Sequence, residues 1–455
     1  LSKNTPLAGE ARERLFSRVD TMRKSAAAAV RPARPGGSAA VDSRFTDFST
    51  LPHYDELRLQ RSIGDKFGLE NPYFKMHDAR AGATTQIGGK TYVNFSCYDY
   101  LGLNGHPEVV GAAKAAIDQY GISCSASRIV AGERITHKEL ERALAEHYST
   151  EDAVVFVGGY VTNVSVISTL TGAKDLIVSD AVVHNSAVIG SVLSGASRRS
   201  FMHNDLDNLE QILAANRGKY ERCLIVIEGL YGMDGDFPDL RRLIEIKDKY
   251  QAWLMVDEAH ALGVLGKRGY GSFEQAGVDP RGVDIWMGTL SKTLAGCGGY
   301  IAGSGILIDY LKSLSGGFVY SVGMPPVIAA SAVKSLEIMH REPERVAQLH
   351  RNGAFFRRVA TEKGLDVGSS VGTAVAPIVV GDSLSAVILC QQLFKRGINV
   401  QPVLYPAVPA KSSRLRFFLT SMHTEDQIEN SLQAVVEELA KVPESMRSLK
   451  IPGYA

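Results

Sequence analysis

Five short apolar runs, Ala153-Val154-Val155-Phe156, Leu176-Ile177-Val178, Cys223-Leu224-Ile225-Val226-Ile227, Trp253-Leu254-Met255-Val256 and Tyr300-Ile301-Ala302, are separated by stretches of helical length. Runs that are apolar at consecutive rather than alternate positions suit strands buried on both faces. The middle of the chain is therefore predicted to be an α/β unit with a mostly parallel sheet. Before it, Thr91-Tyr92-Val93-Asn94-Phe95 alternates like a strand, and a helix is expected to begin near His106-Pro107. After Met324-Pro325-Pro326 come one long helical stretch, a segment from Ala374 to Val380, a helix, a strand near Ile398-Asn399-Val400 and the strand-like Arg414-Leu415-Arg416-Phe417-Phe418. These form a smaller α+β unit. The expected organisation is an N-terminal helix and linker over 1–44, an N-terminal segment over 45–105, a large domain over 106–330 and a small domain over 331–455, without internal repeats.

At the start, Leu15, Val19 and Met22 stand at helical spacing between Glu10 and Lys24, and a Pro/Gly/Ala-rich linker runs from Ser25 to Ser38. Glu10, Glu13 and Asp20 argue against a mitochondrial presequence. With Leu1 as first residue, the segment reads as an interdomain linker of a larger protein.

Composition narrows the function. The 455 residues are 45% apolar, and Lys+Arg 50 against Asp+Glu 49 gives a formal charge of +1. Nothing in that balance favours nucleic acid or an anionic membrane, so a small-molecule substrate is expected. The five cysteines, Cys97, Cys124, Cys223, Cys297 and Cys390, show neither a Cys-x-x-Cys pair nor a zinc spacing. They read as reduced thiols of a cytoplasmic protein that holds no metal. No apolar run approaches the roughly 18 residues of a membrane helix.

Candidate chemistry centres on Gly288-Thr289-Leu290-Ser291-Lys292, which a glycine-rich turn follows at once. A lysine after a short apolar strand is placed to present an amine inside a cleft, where burial lowers its pKa and frees it as a nucleophile. An aldehyde cofactor such as pyridoxal phosphate (PLP) captures such an amine as a Schiff base. It also needs an acid for its ring nitrogen and a cradle for its phosphate. A strand-end surface lysine would share the local pattern.

The upstream segments supply those partners. Asp257-Glu258-Ala259-His260 follows the run Trp253 to Val256, placing Asp257 at a strand end and His260 one helical turn on. Asp257 there suits a protonated ring nitrogen and His260 a phenolic oxygen; a helix-capping aspartate is the competing reading. A helicase-type use of the same tetrapeptide is excluded, because no Gly-x-x-x-x-Gly-Lys-Ser/Thr loop precedes it. Val157-Gly158-Gly159-Tyr160-Val161-Thr162-Asn163, between strand and helix, suits a phosphate cradle or a simple turn. His184 is placed to stack on a planar cofactor. Arg416 can grip a carboxylate through parallel hydrogen bonds, with Arg414 the better candidate for a surface residue.

From about Tyr54 to Val436 the chain resembles the α-oxoamine synthases, PLP enzymes of the aspartate aminotransferase fold (fold type I). The resemblance runs through Asn94-Phe95-Ser96-Cys97-Tyr98-Asp99-Tyr100-Leu101-Gly102, Ser127-Arg128, His137, Glu228-Gly229, Asp257-Glu258-Ala259-His260, Thr289-Leu290-Ser291-Lys292, Met324-Pro325-Pro326 and Arg414-Leu415-Arg416. It implies a seven-stranded, mostly parallel large-domain sheet. It also implies that Lys292 carries pyridoxal 5'-phosphate, Asp257 meets the ring nitrogen, His260 the phenolic oxygen and His184 the ring face. Gly159, Tyr160 and Thr289 fall where the family holds the phosphate, and Ser321 where a partner subunit adds to that contact. Arg416 matches the arginine that binds the substrate carboxylate. A homodimer with shared active sites is expected.

Four positions make three departures from the family pattern. Gly232 stands where many members carry Ser before Met-Asp-Gly, Val322 and Gly323 replace polar residues, and Tyr98 takes a place held by Asn in several relatives but by Tyr in serine palmitoyltransferases. The implied reaction is a decarboxylative condensation of an L-amino acid with an acyl thioester, on coenzyme A or an acyl carrier protein domain, giving an α-aminoketone. Alternatives are a fold-type I aminotransferase or lyase, and a silent scaffold subunit of a synthase heterodimer.

Overall fold

The computed structural model describes residues 42–66, 68–405, 407–409 and 411–442. The helix expected over Glu10 to Lys24 and the linker over Ser25 to Ser38 lie outside them. After two short 3-10 turns (Ser43–Thr46 and Phe48–Thr50) come α1 (Tyr54–Lys66) and the strand pair β1 (Thr84–Ile87) and β2 (Lys90–Asn94). Then come α2 (Pro107–Tyr120), where the sequence places it, and α3 (Ile135–Tyr148). Pro107 at the first turn of α2 loses no bond, because a helix leaves that N–H unpaired in any case.

The central sheet takes its strands in chain order as β3 (Asp152–Phe156), β4 (Leu176–Asp180), β5 (Ser197–Phe201), β6 (Cys223–Glu228), β7 (Trp253–Asp257), β8 (Ile285–Thr289) and β9 (Gly299–Gly303). Their spatial order is β3-β9-β8-β7-β6-β4-β5, and β9 alone runs against the others. The connecting helices include α4 (Gly159–Leu170), α5 (Asn185–Ser194), α6 (Leu206–Asn216), α7 (Leu240–Lys249) and α8 (Ser272–Ala276). Successive strand residues enter separate cores: Ile225, Ile227, Leu254 and Val256 on one face, Leu224, Val226 and Met255 on the other. This two-sided burial is why the strands read as unbroken apolar runs. β5 escapes the apolar pattern because it is an edge strand, and its Ser-Arg-Arg-Ser is at most half-buried.

After α9 (Gly305–Leu314) and α10 (Gly316–Val319), the single helical stretch expected beyond Met324 divides into α11 (Pro326–Arg341) and α12 (Pro343–Glu362). Pro343 has no N–H to continue α11 and instead begins α12. The chain continues with β10 (Val375–Gly381), α13 (Ser383–Lys395), β11 (Ile398–Asn399), β12 (Gln401–Val403), β13 (Ser413–Phe418) and α14 (Glu425–Lys441). β10, β13 and β12 form one small sheet; β11 instead pairs in parallel with β2. The N-terminal strands are thus built into the C-terminal unit, through pairing more than 300 residues apart in sequence that no local pattern reveals.

A clasp fixes the loop after β6. His203 Nδ1 lies 3.1 Å from Asp180 Oδ1 and its Nε2 3.1 Å from Asp236 Oδ2, while the Asn204 N–H donates to Asp180 at 2.9 Å. Burial pushes the imidazolium pKa down, but the two carboxylates outweigh it and raise it to about 10. The folded value lies above the unfolded one, so the clasp stabilises fully below about pH 6.5 and is lost as pH rises toward 10. The wild type's resistance to urea is expected to fall as pH rises across that window, and to fall less in His203→Gln. Equal slopes in the two proteins would remove the clasp as the cause. Independently, Ile225→Ala in the middle of β6 is expected to cost about 2–5 kcal/mol of unfolding free energy in the same assay.

Candidate active site

Polar residues that leave a buried parallel strand have one place to gather, beyond its carboxyl end. Asp257 is the last residue of β7 and is only 6% exposed. Its Oδ1 accepts the Ala259 N–H at 2.9 Å and its Oδ2 accepts Asn163 Nδ2–H at 2.8 Å. Residues 259–260 form a turn rather than the helical turn expected after Asp257. That turn brings His260 back under the cleft, where its Nδ1 stands 2.7 Å from the hydroxyl of fully buried Tyr100.

Lys292 follows β8 by three residues and is half-buried. Burial lowers its pKa to about 8, with Arg416 acting in the same direction, while Asp257 and Glu228 oppose it. The amine is thus far closer to its neutral form near pH 7 than an exposed lysine. Burial also takes His260 well below its ordinary value, reinforced by Lys292 and Arg416, so that ring is neutral.

The glycine at 232 has a steric cause. A Cβ there would collide with His260 Nε2, so the departure from the serine pattern is occupied by the histidine ring itself. Glu258 makes the same demand of its neighbours. Its carboxyl group fills the space a Cβ would take at both Gly229 and Gly271, and burial pushes its pKa up to about 7 against the restraining Ser272 N–H.

β13 delivers two arginines on the same side, two residues apart. Arg416 lays its guanidinium 4.6 Å from the Phe418 ring and donates from Nη1 to the Gly232 carbonyl at 2.8 Å, while its buried Nε has no partner. Arg414, expected at the surface, is instead 7% exposed and paired with Asp234 at 2.5 Å. The sequence could not separate the two, because Asp234 meets Arg414 only through the packing of the β6 loop on the small sheet. Tyr98 closes this side: its ring packs edge-on against Phe418 at 4.6 Å and lies 5.9 Å from Lys292 Nζ.

At the opposite end, α4 begins at Gly159, where a Cβ would lie only 3.0 Å from the Thr289 hydroxyl oxygen. The Thr289 hydroxyl lies 2.9 Å from the Gly298 carbonyl. Unpaired N–H groups of the first helical turn, beside two glycines, are the donors that this corner offers an anion, while the Thr289 hydroxyl hydrogen is spent on the Gly298 carbonyl. Tyr160 is 52% exposed, with its ring 6.4 Å from that of His184. His184 is the N-cap of α5, its Nδ1 accepting the Ser186 N–H. Ser321 lies in the bend after α10, and among the described residues no hydrogen bond or ring contact joins it to the Lys292 group. His137 serves the frame, its Nε2 being 2.7 Å from the Met324 carbonyl.

The sequence reading missed Asn163, Ser186 and Tyr100 as members of the site. Asn163 carried one weak signal, an amide-bearing residue inside a helix where such residues are disfavoured, among the hydroxyl residues Thr162, Ser165, Ser168 and Thr169.

Residues 90–435 match the family of class I and II aminotransferases. The chain is 36% identical over 361 residues to an 8-amino-7-oxononanoate synthase of Bacillus velezensis, covering 79% of this chain and 92% of that one. It is 37% identical over 353 residues to a 4-hydroxy-2,2'-bipyrrole-5-methanol synthase of Serratia, covering 78% of this chain and 54% of that longer protein. The solved serine palmitoyltransferase of Sphingomonas wittichii superposes with a TM-score of 0.82 at 30% identity, covering 87% of this chain and 100% of that one. Among the described residues no helix is long and apolar enough to cross a membrane. The chain belongs to the class I and II aminotransferase family and, within it, to the α-oxoamine synthases, acyltransferases that use pyridoxal 5'-phosphate.

Proposed function

We propose that the cleft at the carboxyl ends of β4, β6, β7 and β8 carries the condensation of an L-amino acid with an acyl thioester, giving an α-aminoketone, carbon dioxide and free thiol. The observation that carries this reading is the convergence of a depressed lysine, a buried carboxylate and an arginine with an unpartnered, buried Nε in one cleft.

The residues present fit the cofactor. Asp257 is held as an acceptor by two N–H donors, ready to keep a ring nitrogen protonated. The α4 N-terminus with Gly159, Tyr160 and Thr289 would hold the phosphate, with His260 on the side of the phenolic oxygen and His184 against the ring. Bound there, PLP supplies an electrophilic aldehyde and an electron sink for charge developing at the amino acid's α-carbon.

The protein's own groups do the rest. Lys292 Nζ, its pKa lowered by burial, would be the amine that holds the cofactor and, when free, the group placed to take the α-proton and return it. Arg416 holds the substrate carboxylate through the edge that includes its free Nε, and its stacking on Phe418 fixes the plane of that grip. Tyr98 limits the side chain admitted beside Lys292.

Homodimerisation is part of the same proposal. Ile129, Val130, Tyr320 and Val322 are 59%, 79%, 89% and 49% exposed, and the Gly323 N–H donates to the Ala126 carbonyl, so the two segments form one apolar patch with Ser321 inside it. A second copy covers this patch and receives Ser321 near its phosphate corner. The acyl group arrives on coenzyme A or on a carrier protein.

Titration of the PLP-loaded protein with glycine, alanine, serine and other L-amino acids, followed by visible absorbance, is expected to show a saturable change with one of them. Lys292→Ala should abolish turnover, and carbon dioxide and free thiol should appear together with coenzyme A or carrier thioesters. Absence of both products with every thioester would favour an aminotransferase. Val130→Asp is expected to shift the protein to monomers in sedimentation and to lower activity with it. Gly232→Ser is expected to displace the His260 ring and to move the absorbance maximum of the bound cofactor; an unmoved maximum would deny the ring that position.

A further inference from the structure

We propose that Asn163 is a positioning residue that holds Asp257 and His184, the two groups flanking the cofactor ring, in one hydrogen-bonded unit through Ser186. The inference rests on the placement of PLP in this cleft.

Asn163 is 1% exposed, and its Nδ2 stands 2.8 Å from Asp257 Oδ2 and 2.9 Å from Ser186 Oγ. Ser186 Oγ in turn lies 2.7 Å from His184 Nδ1. The direction of every hydrogen in this chain is fixed by chemistry. An amide NH2 group only donates, and an ionised carboxylate only accepts. Ser186 oxygen therefore receives one amide hydrogen, and its own hydrogen is left for His184 Nδ1. Nδ1 also takes the Ser186 N–H at 3.3 Å, so it is an acceptor twice over and the ring proton sits on Nε2. One amide thus aims the carboxylate and, at one remove, sets the tautomer and tilt of the imidazole.

The backbone is arranged to permit this. α5 crosses α4 closely enough that a Cβ at Gly190 would lie 2.9 Å from the Asn163 carbonyl oxygen and 3.1 Å from Val164 Cα. That close approach brings Ser186, one turn earlier on α5, within reach of Asn163. The amide is spent entirely on its donors, and Asn163 Oδ1 remains buried without a partner. An orphaned buried acceptor is costly and marks a residue kept for its other contacts.

The test compares wild type, Asn163→Leu, Asn163→Asp, Ser186→Ala and Ser186→Thr by PLP equilibrium dialysis, by the pH titration of the Lys292-dependent absorbance band, by visible circular dichroism of the bound cofactor and by thermal melting without PLP. Asn163→Leu and Asn163→Asp are expected to retain PLP about ten-fold or more weakly and to shift the midpoint of the band titration. Ser186→Ala should keep the wild-type midpoint but lose much of the dichroic signal that a fixed ring environment induces, and Ser186→Thr, which retains the hydroxyl, should restore it. Asn163 variants that melt like wild type and match its PLP affinity and midpoint would overturn the inference. Should the Asn163 variants fail to fold, a Ser186→Ala protein with wild-type dichroism overturns it as decisively. A wild type that takes up no PLP would overturn the reading of the cleft, and this inference with it.

Discussion

A carboxylate at the end of a buried strand imposes the arrangement of everything near it. Taking an ionised group out of water costs several kcal/mol unless donors or opposite charges replace the hydration. Asp257 receives the Ala259 N–H and the Asn163 amide, with Lys292 as a neighbouring cation. Each compensation constrains a separate element: the turn after β7, the first turns of α4 and the loop after β8. The site is consequently rigid from the carboxylate outward, which is the condition for holding a reactive group in a productive position.

The glycines around the cleft belong to the same economy of space. Gly232, Gly229 and Gly271 lack Cβ atoms because His260 and Glu258 occupy those volumes. A family-typical serine at 232 and the present position of the His260 ring are mutually exclusive. This side of the cleft therefore presents one imidazole, backed by the Tyr100 hydroxyl, rather than an imidazole and a serine hydroxyl. Burial holds this imidazole neutral, which makes it a hydrogen-bonding group and not a competing cation beside Lys292 and Arg416.

The arginine side of the cleft depends on the junction between the large sheet and the small one. Arg414 anchors the β6 loop through Asp234, and His203 anchors its other side through Asp236. Two residues before Asp234 the Gly232 carbonyl accepts from Arg416 and orients its guanidinium. An arginine held by loop backbone on one edge and stacked on Phe418 presents its remaining edge with little freedom left to lose.

Much of this was legible in the sequence, because strands buried on both faces must be apolar throughout and their polar successors must stand at the cleft. That rule placed Asp257, His184, Gly159 and Lys292 without reference to tertiary structure. It failed where a residue's environment is made by segments distant in sequence. β5 lacked the apolar signature because it has one free edge; Arg414 and Arg416 differed only through the position of Asp234; and β2 found β11 more than 300 residues away. Asn163 and Ser186 meet only because Gly190 lets two helices approach. Local chemistry and periodicity are properties of neighbouring residues, so the sequence by itself determined the elements and the reactive groups. Contacts between elements depend on how the whole chain packs, and only the tertiary structure decided which groups hold the others in place.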